Sequence, residues 1–393
     1  MLTVNSQHTL LDLKGSACPE RNKRPLETTN ERLTRRCAGY KVANKHARLR
    51  RRKGVDNAMR VHKFLTTAAL GAVMSTLVAP AASAQTLVLG HGAAPENPRT
   101  LAVEKMASLT EQYSDGDLTL QTQGSEQLGS DLQMLQQLQT GALDLSANSQ
   151  GALASMVPKA NVFGLPFLFD TPEAAWQVVD GPVGDEVAKQ AEQRGLKILA
   201  WWSNGFRQFT NNVRPIEAPE DMQGLKIRAP EDAMTISILK QLGANPTPMA
   251  FGELYVALKQ GTVDGQENPL VNIVSSHLDE VQKYLSMADY KYEVTPVVIG
   301  LSTWNALSTE DQKALSKAAK EATAYERQTL VKQSQELLDQ LEQEQGIKVN
   351  TVDTAAFREA TQPVYTQWQK KLGDLVNQAQ TAAQKANQQA GAQ

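Results

Sequence analysis

From Thr86 onward the chain alternates between two hydrophobic periods. "TLVLGHG" (Thr86–Gly92) is an apolar run ending in glycine and predicts a strand. "NPRTLAVEKMASLTEQYSDG" then places Leu101, Met106 and Leu109 at helical spacing, and "DLTLQTQG" alternates as a second strand. "SDLQMLQQLQTGALDLSA" predicts a helix, a glycine turn and a third strand. Strand, helix, strand, helix, strand is an α/β arrangement with a largely parallel sheet.

The pattern resumes twice. "LKILAWW" (Leu196–Trp202) predicts a strand, and "LKIRAP" another, followed by the helix "DAMTISILKQLGA". "NPTPM" predicts a proline-rich turn. "FGELYVALKQGTVDGQENP" predicts a helix, a glycine stop and a short strand running into a loop. "KYEVTPVVIGLSTWNAL" predicts a strand. A single long helix is expected from Ser308 to about Gln345, with Ser308 as its N-cap and Glu310 and Asp311 in the first turn, where the helix dipole favours acids. A second helical stretch surrounds Trp368. The low-complexity tail, from about residue 379, is expected to fray.

The 393 residues suffice for two domains with their own cores. Net charge is −2, but the average hides three parts. Residues 1–58 carry 14 Lys and Arg against 5 Asp and Glu. Residues 85–393 carry 24 basic and 37 acidic residues, a net of −13. An acidic body argues against nucleic acid as a partner.

Residues 59–84 explain the break. A basic start, "MRVHKF", precedes the apolar "LTTAALGAVMSTLVAP" and ends in Ala82-Ser83-Ala84. This is the pattern of an export signal cut before Gln85, and the run is short for a membrane span. Such a signal belongs at the N-terminus, so residues 1–58 are expected to be a mis-assigned upstream extension, disordered if made. Both cysteines, Cys18 and Cys37, lie in that extension, so the exported body would be held by its core without disulfides.

Missing chemistry narrows the function. The expected mature chain has two histidines, His91 and His277, and no cysteine. No metal site of Cys/His type can be built from these, and nucleophilic catalysis has few possible bases. No GxSxG, P-loop or GxGxxG is present. The reading is therefore not an enzyme, with no cofactor and no metal; a secreted hydrolase is the weaker alternative. His277 reads as a helix-surface residue. His91 ends the first strand, on the side where open α/β sheets carry ligands, and is either pocket lining or filler.

"GLKIRAPEDAM" carries the sharpest question. Arg228 ends an apolar strand just before Ala229 and Pro230. It is either a structural salt bridge or an anchor for a carboxylate, which a guanidinium binds bidentately. Here a resemblance enters. "NGFRQFTNNVRPIEAPEDMQGLKIRAP" followed by "LGANPTPMAFGELYVALKQGTVDGQENP" closely resembles the solute receptors of TRAP transporters, the tripartite ATP-independent periplasmic family. "EQLGSDLQMLQQLQTGALDLSA" resembles the same family, and the similarity runs from Gln85 to about Gln369.

The resemblance implies a periplasmic binding protein, a clamshell of two α/β lobes braced by the long helix. The lobes would be discontinuous: residues 85–204 with 294–333, and 205–293 with 334–393. It implies a monomer that binds a small organic acid and delivers it to membrane permease subunits driven by an ion gradient. Arg228 corresponds to the family's carboxylate anchor. Arg207 resembles the second basic residue of the pocket, with a lobe-internal ion pair as its rival role. Asn268 matches a supporting amide, Phe251 an aromatic wall or plain core, and Asn148 and Ser149 a polar edge from the first lobe. Glu231 departs from many relatives and is either an acceptor for ligand hydroxyls or a helix-start acid. With Glu126 and His91 it adds polar capacity, which favours a sugar acid such as a hexuronate or aldonate. Four-carbon dicarboxylates and small keto or hydroxy acids are the runners-up. A receptor feeding a sensor kinase would share the binding chemistry, whereas the receptor of an ATP-driven importer would share the clamshell but not the "RAP…GANPTPM…DGQENP" block.

Overall fold

The computed structural model describes residues 84–343 and 346–391. The upstream extension, the export signal up to its last residue and the expected helix end at Gln345 lie outside the described residues. β1 (Gln85–His91) leads to α1 (Pro98–Tyr113), which starts on an Asn97 cap with Pro98 in its first turn. β2 (Leu118–Gln123), α2 (Asp131–Thr140) and β3 (Leu145–Ala147) follow. Ser130 and Gln133 form a reciprocal capping box on α2, and Gly141 closes it at a φ of 73°, so both helix ends are satisfied locally. β1 lies parallel between β2 and β3, with Leu89 opposite Leu145. Next come α3 (Gln150–Met156), α4 (Pro172–Val179), α5 (Pro182–Glu192) and β4 (Leu196–Asn211).

β5 (Lys226–Ala229), α6 (Ala233–Gln241), β6 (Asn245–Pro248), α7 (Leu254–Lys259), β7 (Gly265–Pro269), α8 (Leu270–Ser275) and β8 (Tyr284–Met287) build the other lobe. β9 (Tyr292–Gly300) then returns and inserts between β3 and β4. The chain closes with α9 (Leu301–Ala306), α10 (Thr309–Gln343), β10 (Lys348–Thr351), α11 (Thr354–Leu372) and α12 (Leu375–Ala390). The strand order is β2-β1-β3-β9-β4-β7-β5-β6, with β8 paired to β4 and to β10.

Four expectations change. The strand expected over Leu196–Trp202 runs on to Asn211, because the polar residues after Trp202 pair with β7 and β8. The sheet is mixed: β9 is antiparallel to β3 and β4, and β4 is antiparallel to β7. "NPTP" is not a turn but the edge strand β6, parallel to β5. An edge tolerates prolines, since an outward face needs no N–H. Finally, the tail does not fray. α12 buries Leu375, Val376, Ala379, Ala383 and Ala386 and packs on α4. Its alanines, read as low complexity, are strong helix formers that form a narrow apolar stripe.

α10 is the long helix, and Ser308 Oγ accepts the Asp311 N–H at 3.0 Å as its cap. Its 35 residues span about 50 Å. Leu315, Ala318, Ala319 and Ala322 sit in the cluster of Leu89, Val103, Met106 and Trp202. Leu341, near its other end, sits in the cluster of Leu254, Leu258, Ile273 and Leu285. Each leucine so buried contributes roughly 1.5–3 kcal/mol, so the helix braces both lobes. No helix among the described residues is long and apolar enough to cross a membrane.

Between those clusters α10 buries Glu326. Its Oε2 accepts the Ser203 N–H at 2.8 Å, while Oε1 has no partner. Burial pushes this carboxyl up to about 8, partly offset by the Ser203 hydrogen bond. The folded value is raised, so its stabilising contribution is complete below about pH 4 and is lost as pH rises through 8. Glu326→Gln, neutral throughout, is expected to gain melting temperature over the parent as pH goes from 5 to 9. A gap between the two proteins that stays constant across that range would refute this.

Candidate functional site

The two lobes meet over a shared cavity. Arg228 reaches it from β5. The side chain is 2 % exposed, and its Nε and Nη2 donate to the Met249 carbonyl at 3.2 and 2.8 Å. The Phe251 ring lies 5.7 Å from the guanidinium carbon, close enough for a cation–π contact. None of the ion pairs among the described residues involves Arg228. Burial pushes its pKa down to about 10, Arg207 adds to the fall, and Glu267 opposes it. A cation in this state favours an incoming anion.

Arg207 is different. It lines the cavity from β4 but is ion-paired to Glu267 of β7 and Glu293 of β9. Its Nη2 also donates to the Asn268 Oδ1 at 3.2 Å, and Tyr290 donates to Glu267 at 2.5 Å. Burial works against its charge, but the two glutamates outweigh burial and hold it charged. Arg207 therefore lines the cavity with its charge already engaged in ion pairs. Beside it, Lys291 donates to Asp232 at 2.8 Å and Thr235 at 2.6 Å, fully buried.

Asn268, Phe251, Ser149 and Glu231 line the same cavity. Ser149 caps α3 with its hydroxyl, and its N–H donates to Asp131 at 2.8 Å. His91 and Asn148 are not on the wall. His91 is 1 % exposed and packs against Gly124, where even a Cβ would come within 2.8 Å. Burial and then Arg99 push its pKa down to about 4, so it is neutral. Asn148 donates to the Asp131 carbonyl at 3.0 Å and to Ser146 at 3.1 Å. It holds the start of α2 rather than facing the cavity. His277 is exposed in the turn after α8, paired with Glu280.

Several wall residues had gone unassigned in the sequence. Arg99, Asp131, Asn204, Asn272 and Glu293 all line the cavity. Asp131 Oδ1 and Glu293 Oε1 are buried acceptors without a partner. Arg99 carried one legible signal: a cation in the first turn of a helix opposes the dipole. Two hydrogen bonds tie the wall residues Glu126 and Glu231 to distant segments: Glu126 Oε2 accepts the Gly252 N–H at 2.8 Å, and Ser155 donates to the Glu231 carbonyl at 3.1 Å. Burial, and then Asp131, raise the Glu126 pKa. The arrangement is built to bind. It offers uncommitted cations and acceptors, and among the described residues no set of His, Cys, Asp and Glu could hold a metal ion.

Comparison with known proteins gives this geometry a family. DctP, the bacterial extracellular solute-binding protein family 7, matches residues 89–371. The chain belongs to the TRAP solute receptors. It is therefore a receptor rather than an enzyme. Protein y4mM of Sinorhizobium fredii is 47% identical over 289 residues, 74% of this chain, but the match spans only 53% of that relative's length. The 2,3-diketo-L-gulonate-binding periplasmic protein YiaO of Escherichia coli is 35% identical, covering 71% of this chain and 85% of YiaO. Among solved structures, the sugar acid binding protein DctPAm of Advenella mimigardefordensis in complex with galactonate superposes with a TM-score of 0.75. It is 33% identical and covers 77% of this chain and 99% of its own. TRAP receptors are two-lobed binding proteins, as this one is.

Proposed function

We propose that this TRAP receptor binds a hydroxylated organic acid, a sugar acid of the hexuronate or aldonate kind, and hands it to ion-gradient-driven permease subunits in the membrane. One observation carries the reading: Arg228 is a buried guanidinium on the cavity wall with no ion-pair partner among the described residues. The ligand carboxylate completes that pair, flanked by Asn268 and Phe251. The unpartnered acceptors of Asp131 and Glu293 favour a ligand that brings hydroxyls, which is why sugar acids rank above four-carbon dicarboxylates and small keto or hydroxy acids. The names of YiaO and DctPAm, both sugar-acid binders, agree.

In this reading the lobes are residues 85–204 with 294–333 and 205–293 with 334–393. The protein is exported by the signal cut before Gln85 and works in the periplasm as a monomer. Ligand bridging favours the closed form, because only closure brings Arg228 and the Ser149 edge to one molecule. The test is a melting series of the protein recovered from the periplasm against a panel of carboxylates. Ligand at 100 times its dissociation constant adds about 2.7 kcal/mol, enough to raise the melting temperature by several degrees. A rise with hexuronates or aldonates is expected. A rise with succinate and none of the sugar acids would replace the ligand class.

A further inference from the structure

Arg99 is the second buried cation on the cavity wall with no ion-pair partner among the described residues, the buried Glu326 carboxyl acting on it only from beyond ion-pair distance. It sits in the first turn of α1, 6 % exposed and on the cavity wall. Its Nη2 donates to Asn204 Oδ1 and to Thr295 Oγ1, each at 3.0 Å, both neutral oxygens. Its Nε is buried with no partner. Like Arg228, it takes part in none of the ion pairs among the described residues. The nearby Glu293 is committed to Arg207 through Oε2. A buried guanidinium held only by neutral acceptors carries a desolvation cost that an anion would offset. A purely structural brace between β4 and β9 uses Nη2 and gives no account of the unpartnered Nε.

Arg99 stands on α1 and Arg228 on β5, so the two guanidiniums approach the cavity from opposite lobes. A monocarboxylate satisfies one of them. We propose that Arg99 forms a second anion subsite, and that the preferred ligand is a polyhydroxylated acid with a carboxylate at each end, an aldarate. This rests on the receptor reading above and, within the sugar acids, moves the preferred ligand from the one-carboxylate hexuronates and aldonates to the two-carboxylate aldarates. Hydroxyls between the two ends meet Asp131 Oδ1 and Glu293 Oε1, which a bare dicarboxylate such as succinate would leave unpaired. A two-headed acid also ties one lobe to the other by charge at both ends.

The experiment is calorimetric titration of the full receptor with galactarate, glucarate, galactonate and succinate, for the parent, Arg99→Met and Arg99→Lys. The parent is expected to bind an aldarate at least ~10-fold more tightly than galactonate, and Arg99→Met to lose ~30-fold or more on the aldarate, the effect of truncating one partner of a buried charge pair. The loss on galactonate is expected to be at least ~10-fold smaller than the loss on the aldarate, so that the preference for the aldarate collapses in the variant. Equal losses on both acids, or galactonate binding as well as the aldarates in the parent, would overturn the second subsite while leaving the receptor reading in place. Failure of all four acids would overturn both. Should Arg99→Met not fold, Arg99→Lys decides: it keeps the charge without the planar fork, so it must still favour the aldarate over galactonate, and loss of that preference sinks the proposal.

Discussion

Arg228→Ala is expected to weaken acid binding by about 2–5 kcal/mol, the range for removing one partner of a buried charge pair, and yet not to destabilise the empty protein. The two halves of this expectation have one cause. In the free receptor the guanidinium is 2 % exposed, held by one carbonyl and an aromatic ring, and burial depresses its pKa to about 10. Keeping such a group charged at neutral pH costs the folded state something on the order of a few kcal/mol. Removing it relieves that cost when no ligand is present and withdraws the anchor when one is. Arg228→Lys should fall between, since an ammonium is a point charge without parallel donors. Melting the empty variants and titrating them with acid separates the roles. A fall in the melting temperature of empty Arg228→Ala, with affinity kept, would make Arg228 a structural brace.

Glu267→Ala should do the opposite: a loss of about 3–5 kcal/mol in stability, as for breaking a buried ion pair from one side. Glu267 is fully buried on β7 and takes Arg207 and the Tyr290 hydroxyl. Its removal leaves Glu293 as the one carboxylate paired with Arg207 among the described residues and strands the Tyr290 donor. Urea unfolding of parent and variant measures the difference. A loss under about 1 kcal/mol, the level of an exposed ion pair, would show that Glu293 carries the cluster unaided.

Arg228 was legible because two independent signals met on it: a charge closing an apolar strand, and a long family motif around it. Arg207, Asn268 and Phe251 sit in the same motif, and all line the cavity. Arg99, Asp131 and Glu293 were not read, since each belongs to a segment whose pattern is explained by secondary structure alone. His91 and Asn148 show the converse. A polar residue at a strand end reads as a ligand contact, but whether its side chain turns to the cavity depends on neighbours such as Gly124 and Asp131, far along the chain. The length of β4 was hidden for a similar reason: its second half is polar, and its order comes from partners 50 to 80 positions later. The prolines of β6 and the alanines of α12 misled by composition where an edge and a docking stripe decided the outcome.

β4 serves both lobes. Its first part pairs with β9, and Arg207–Asn211 pair with β7 and β8. Between them the register slips at Ser203 and Gly205, the latter at a φ of 108° that glycine adopts freely. No cut through the backbone separates the lobes without opening a ladder, so the two lobes are not halves that fold apart. The first sheet has a gap between β3 and β4 until β9 fills it, and β9 is synthesised only after the whole of β5 to β8. A truncated chain ending before β9 would thus expose two raw strand edges. Cooperative melting of the intact protein and aggregation of any such fragment are two faces of that one threading.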